Sequence, residues 1–105
     1  MKDRRGVIMI LFDIPVKTKT QRREYNSFKK HLKTNGYIFM QESVYIKLLH
    51  NFSKAEDEIK KFKNSIPVNG NVITLPLCLS DFLKYRNLSG GSFDFDVFSN
   101  DTVYI

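Results

Sequence analysis

An unbroken apolar run at residues 7–12 is closed by Asp13 and Pro15. A strand covered on both faces reads this way, because both alternating sets of side chains must then be apolar. The rhythm then lengthens. Over residues 18–35, Tyr25, Phe28 and Leu32 recur at spacings of three and four, which predicts a helix packed along one stripe, and Gly36 supplies its left-handed stop. Residues 37–40 and 43–49 read as two strands joined by a tight turn near Gln41 and Glu42. In the second, Val44, Ile46 and Leu48 alternate with Ser43, Tyr45 and Lys47. A second helix is predicted from Ser53, whose hydroxyl and Glu56 have the spacing of a capping box. It would bury Ala55, Ile59, Phe62 and Ile66 before Pro67 ends it. A turn at Asn69 and Gly70 leads to a fourth strand at residues 72–79, with Ile73, Leu75, Leu77 and Leu79 on one face. Pro76 has no N–H to donate, which places this strand at an edge or a bulge.

The predicted order, strand-helix-strand-strand-helix-strand, is that of an α+β, ferredoxin-like βαββαβ sandwich. Two helices cover one face of four strands, yet the first strand is apolar on both. A second copy of the chain is the simplest cover, so a homodimer with sheets facing each other is expected. Residues 1–80 form the ferredoxin-like domain in this reading, and residues 81–105 a C-terminal extension packing on the partner subunit. Residues 80–86 suit a short helical turn, and residues 87–92 a loop containing Gly90 and Gly91. Beyond it Phe93, Phe95 and Phe98 alternate with Asp94 and Asp96, and residues 102–105 suit a last strand. Added to the partner's sheet, that strand would bury the aromatics and cover the exposed edge at residues 72–79.

Composition narrows the partners. A chain of 105 residues has room for one domain, and nine Phe and five Tyr imply a packed core. Seventeen Lys and Arg against eleven Asp and Glu leave a net charge of +6, which favours phosphate-bearing partners: nucleic acid or an anionic membrane surface. Nothing has the length of a membrane span. The apolar run behind Lys2, Arg4 and Arg5 imitates an export signal, but it is too short, is broken by Asp13 and Pro15, and lacks a small-residue cleavage site. Cys78, the single cysteine, excludes an internal disulfide and a multi-cysteine zinc cluster, and a cytoplasmic location is expected. Its apolar surroundings suggest a small buried hydrophobe.

On a helical wheel the first helix gathers Lys29, Arg22, Lys33, Lys19, Lys30 and Arg23 into one arc without an acid among them, with Glu24 and His31 on the opposite flank. A solvated face normally mixes signs, as Glu56, Asp57 and Glu58 do with Lys60, Lys61 and Lys63 in the second helix. The arc therefore suits a phosphate backbone. Asp13, at the C-terminal end of a buried strand, is the other candidate. It fits an ordinary turn before Pro15, and it also fits a metal site: brought together across a two-fold axis, Asp13 from each chain could hold one Mg²⁺ that activates water for phosphodiester cleavage. His31 and His50 have no ligand partners at useful spacing and read as surface residues. Tyr37 and Tyr45 suit core or interface packing better than base stacking. The third strand lacks the Gly and paired aromatics of an RNA-recognition motif, and the chain has no phosphate-binding Gly loop.

Three segments in order carry a resemblance: VIMILFDIP at residues 7–15, QRREYNSFKKHL at residues 21–32, and GYIFMQESVYIK at residues 36–47, whose Gln-x-Ser-Val-Tyr spans Gln41 to Tyr45. Together the chain resembles the CRISPR-associated Cas-two (Cas2) family, particularly the short form that accompanies Cas-nine loci. The resemblance implies a ferredoxin-like homodimer that bridges the Cas-one integrase and supports double-stranded prespacer DNA during spacer acquisition, an antiviral defence function. It carries the family's metal-binding Asp onto Asp13 and its basic helix onto Arg22 and Arg23. It also implies Mg²⁺-dependent endonuclease chemistry on RNA or DNA, with Mg²⁺ shared between the two Asp13 carboxylates and single-stranded RNA as a further partner. Phe12 stands where many members have Tyr. The alternative function is a toxin-like metal-dependent endoribonuclease of the same fold.

Overall fold

Strand β1 (Gly6–Asp13) lies inside a four-stranded sheet of order β2-β3-β1-β4, in which every neighbouring pair is antiparallel. The structure, a computed structural model, describes residues 3–91. The expected aromatic alternation at residues 93–98 and the last strand at residues 102–105 lie outside the described residues. The remaining elements are α1 (Lys19–Thr34), β2 (Ile38–Gln41), β3 (Val44–Leu49), a 3₁₀ turn (Phe52–Lys54), α2 (Ala55–Lys60), β4 (Asn71–Cys78) and α3 (Leu79–Phe82). This is the ferredoxin-like arrangement. The inner position of β1 explains its apolar run, because Val7, Ile8 and Ile10 are all fully buried on their respective faces. Strand β4 is an edge strand, a position that tolerates Pro76.

Helix α1 begins in a capping box that the hydrophobic pattern does not display. Thr18 Oγ1 accepts from the Gln21 amide at 3.0 Å, and Gln21 Oε1 accepts from the Thr18 amide at 3.1 Å. Thr18→Ala is expected to cost about 1 kcal/mol, read as a lowered urea midpoint at unchanged slope. Gly36, at φ 88°, turns the chain out of the helix as expected. The stripe of α1 packs on the helix side of the sheet, where Phe28 and Leu32 join Ile8, Ile10, Phe12 and Tyr45.

The second helix differs from expectation. Asn51 Oδ1 accepts from the Ser53 amide at 3.0 Å, so Ser53 lies within a 3₁₀ turn and the Ser53–Glu56 capping box does not form. After Lys60 the chain loosens into three-residue turns, with the Phe62 amide donating to Ile59 O at 3.1 Å and the Ser65 amide to Phe62 O at 3.0 Å. Pro67 disfavours the helical conformation at Ile66, which is exposed and not buried.

Strand β3 also departs from a half-solvated alternation: every residue in it is buried. Lys47 points to the helix side with Tyr45 and Leu49, and its ammonium meets Glu58 of α2 at 2.8 Å. Lys61 reaches the other Glu58 oxygen at 2.9 Å. The Tyr37 ring lies beneath, 5.6 Å from Lys47 Nζ, with its buried hydroxyl lacking a hydrogen-bond partner. Burial and the Glu58 charge push the Tyr37 phenol far above its usual range.

The other face of the sheet is partly covered from within. Helix α3 places Leu79 and Phe82 on Val7, Ile46 and Leu48, with Tyr85 stacked beside Phe82. Ile73 and Leu75 on β4 stay 56% and 45% exposed on that face. Cys78 is exposed, contrary to the sequence reading, because it ends an edge strand opposite Gly6, which has no side chain to cover it.

Candidate nucleic-acid interface

The register of the sheet assembles a polar rim around Asp13. This carboxylate is exposed at the end of β1, directly opposite Asn71 on β4. On its other side the Phe12 amide donates to Ser43 O at 3.1 Å. Ser43 adopts φ 65°, a left-handed conformation unusual for a residue with a Cβ, and this lets the β2–β3 turn close against the end of β1. Asp13, Ser43 and Asn71, with Leu11 and Ile73, line an open depression of about 270 Å³. The antiparallel pairing of Leu11 with Val44 is what brings Ser43 here, and that pairing is invisible in the local pattern.

Carboxylate, amide and hydroxyl oxygens are hard donors of the kind Mg²⁺ takes. One chain supplies a single carboxylate at this rim, and no group of three or more His, Cys, Asp or Glu side chains suited to a metal occurs among the described residues. The donor types fit the cation, but this chain alone brings only one charge to it.

The six cations of α1 divide by their surroundings. Arg22 Nη1 donates to Val16 O at 3.2 Å and Lys17 O at 3.1 Å, so Arg22 clasps the loop that follows Asp13. The Lys29 ammonium lies 4.4 Å from the centre of the Tyr25 ring. Lys19, Arg23, Lys30 and Lys33 are exposed. The ion pairs found among the described residues (Arg5–Asp3, Lys47–Glu58, Lys61–Glu58 and Lys84–Asp81) all lie off this helix. The arc therefore presents positive charge that pairs with no carboxylate among the described residues.

A side-chain bond ties α1 to the rim. The Tyr25 hydroxyl donates to the Glu42 carboxylate in the β2–β3 turn, next to Ser43. That bond, with burial, raises the Tyr25 phenol above its ordinary value. On the opposite flank His31 is half-buried and not a free surface residue: it lies edge-on to Phe62 at 5.1 Å, with Nε2 3.2 Å from Ser65 Oγ. Tyr37 and Tyr45 are core residues, as their strand positions suggested. Among the described residues no helix is long and apolar enough to cross a membrane.

Residues 7–85 match the family described as CRISPR associated protein Cas2. A CRISPR-associated endoribonuclease Cas2 of Ligilactobacillus salivarius (strain UCC118) is 40% identical over 83 residues, which cover 79% of this chain and 82% of that protein. A CRISPR-associated endoribonuclease Cas2 of Streptococcus mutans serotype c (strain NN2025) is 35% identical over 83 residues, 79% of this chain and 78% of its own. A crystal structure described as that of cas2 superposes with a TM-score of 0.50 at 18% identity, over 70% of this chain and 75% of the other, a likeness of fold.

Proposed function

The chain belongs to the Cas2 family of CRISPR-associated proteins, and from that premise we propose that it serves CRISPR adaptation as a homodimer that binds duplex DNA and scaffolds the Cas-one integrase. The observation that carries this reading is the acid-free arc of α1. Lys19 to Lys33 span about 21 Å along the helix axis at about 1.5 Å per residue. A duplex presents one phosphate charge for about every 1.7 Å of its axis, so an arc of that length meets many phosphates whatever the base sequence. The apolar surface left at Ile73 and Leu75 supports a second copy covering the sheet, which would also bring two Asp13 rims toward one another.

The oxygen donors gathered at Asp13, and relatives named endoribonucleases, favour a second activity at the same fold. Mg²⁺ held between the Asp13 carboxylates of two subunits would supply a Lewis acid and an activated water for phosphodiester hydrolysis. Phe12, where many family members carry Tyr, is buried against Tyr25, Phe28 and Tyr45 and offers no hydroxyl to this rim. Asp13 would thus work with Ser43 and Asn71 as its polar neighbours.

The scaffold reading expects duplex affinity to be unchanged by EDTA and by Asp13→Ala, with any cleavage of RNA or DNA abolished by both. Fluorescence anisotropy of a labelled duplex and a gel-based cleavage assay read the two separately. Duplex binding lost with Asp13→Ala in a correctly folded dimer would contradict the scaffold reading.

A further inference from the structure

We infer that the outer edge of β2 carries a stacking platform for unpaired nucleobases, built on Phe39 and flanked by Lys29 and Lys33 of α1. The inference rests on the nucleic-acid reading above and adds a second mode of contact to it. Phe39 is 54% exposed, the most exposed Phe or Tyr ring among the described residues. A single exposed apolar side chain is unremarkable by itself. What sets Phe39 apart is its mounting.

Its neighbour in register is Tyr45, and the two rings meet edge-to-face, 5.8 Å between centres at 84°. Tyr45 is itself buried and lies 5.9 Å from Phe12, which lies 6.0 Å from Tyr25. An aromatic ladder thus runs from the core to the sheet edge, where the last ring packs edge-on to Tyr45 and stays open to solvent. A base stacking there meets a ring already braced on one side, which lowers the ordering cost of contact.

The helix packed on the same face of the sheet carries charge. Phe39 shares a face of the sheet with Tyr45, the face on which α1 packs. Tyr25 anchors α1 at this edge by donating to the carboxylate of Glu42, three residues beyond Phe39. Lys29 follows Tyr25 by one helical turn and Lys33 by two, placing both on the same flank of the helix as the Tyr25–Lys29 contact. Aromatic rings with cations alongside suit a single strand, whose bases have exposed faces, whereas a duplex keeps its base faces stacked internally.

The test titrates wild-type protein, Phe39→Ala and Phe39→Trp against a short single-stranded oligodeoxynucleotide carrying a fluorescent adenine analogue, RNA of the same sequence, and a plain duplex. Phe39→Ala should weaken binding of both single strands about tenfold and abolish the quenching of the analogue. Phe39→Trp should retain both properties, and duplex affinity should follow wild type in either variant. Single-strand affinity and quenching untouched by Phe39→Ala overturn the inference. So does a change of oligomeric state in that variant, which would assign the ring to a contact between copies of the chain. Wild-type protein that binds duplex but no single strand overturns the platform alone, whereas a protein that binds neither removes the nucleic-acid reading as well.

Discussion

Glu58→Ala is expected to destabilise the protein by about 3–5 kcal/mol, a large share of what holds a small domain together. Glu58 is fully buried and the Lys47 side chain is 2% exposed, so removing the carboxylate leaves a desolvated ammonium facing the Tyr37 ring. Lys61 can return to water, being half exposed, but Lys47 cannot do so without disturbing β3. Lys47→Met should cost less, because Glu58 keeps Lys61 as a partner. The double replacement Lys47→Met with Glu58→Leu should be nearly neutral or stabilising by about 1–4 kcal/mol, since it removes both desolvation penalties together. Urea midpoints of the two single variants and the double variant form a cycle that isolates the coupling. A Glu58→Ala protein within about 0.5 kcal/mol of wild type, the range of an ordinary surface change, would refute this account of the pair.

The second large effect concerns binding. Reversing Arg23, Lys30 and Lys33 together to Glu should lower duplex affinity by about 10³-fold at low salt and flatten its salt dependence, since each lost phosphate contact removes about 0.9 from the logarithmic slope. In a dimer each position counts twice. Arg22 is left in place because its guanidinium holds the Val16 and Lys17 carbonyls, and reversing it would loosen the loop after Asp13 as well as remove charge. Reversal of Lys60 and Lys63, on a segment that already carries Glu56 and Asp57, is the control and should change affinity far less. Equal losses from both sets would mean that net charge, and not the α1 arc, drives binding.

The elements legible in the sequence are those whose signal is local and repeated. The doubly apolar β1, the three-four stripe of Tyr25, Phe28 and Leu32, and the stop at Gly36 each depend on residues close in the chain, and all appear where expected. What escaped depends on distant partners or on competition between neighbours. Lys47 fits the polar half of an alternating strand until Glu58, which reads as one more surface acid of α2, closes over it. Ser53 and Glu56 have capping-box spacing, but Asn51 takes the Ser53 amide first. Ile66 keeps the helical rhythm, but α2 ends at Lys60 and leaves it exposed. At the candidate site, the position of Asp13 and the run of cations were readable as composition and order. The approach of Ser43 and Asn71 to Asp13 required the sheet register, and the division of α1 into clasping and free cations required the loop carbonyls at Val16 and Lys17.

On the function proposed above, this Cas2-family chain supports spacer acquisition by holding DNA on α1, and Asp13 is dispensable for that role. New-spacer acquisition tests it most directly, in cells with wild-type protein, no protein, Asp13→Ala, or the triple charge reversal, each variant checked for folding and dimerisation. The account predicts acquisition with wild type and Asp13→Ala, and none without the protein or with the reversed arc. Acquisition that survives the charge reversal, or that fails with a folded, dimeric Asp13→Ala protein, would contradict it.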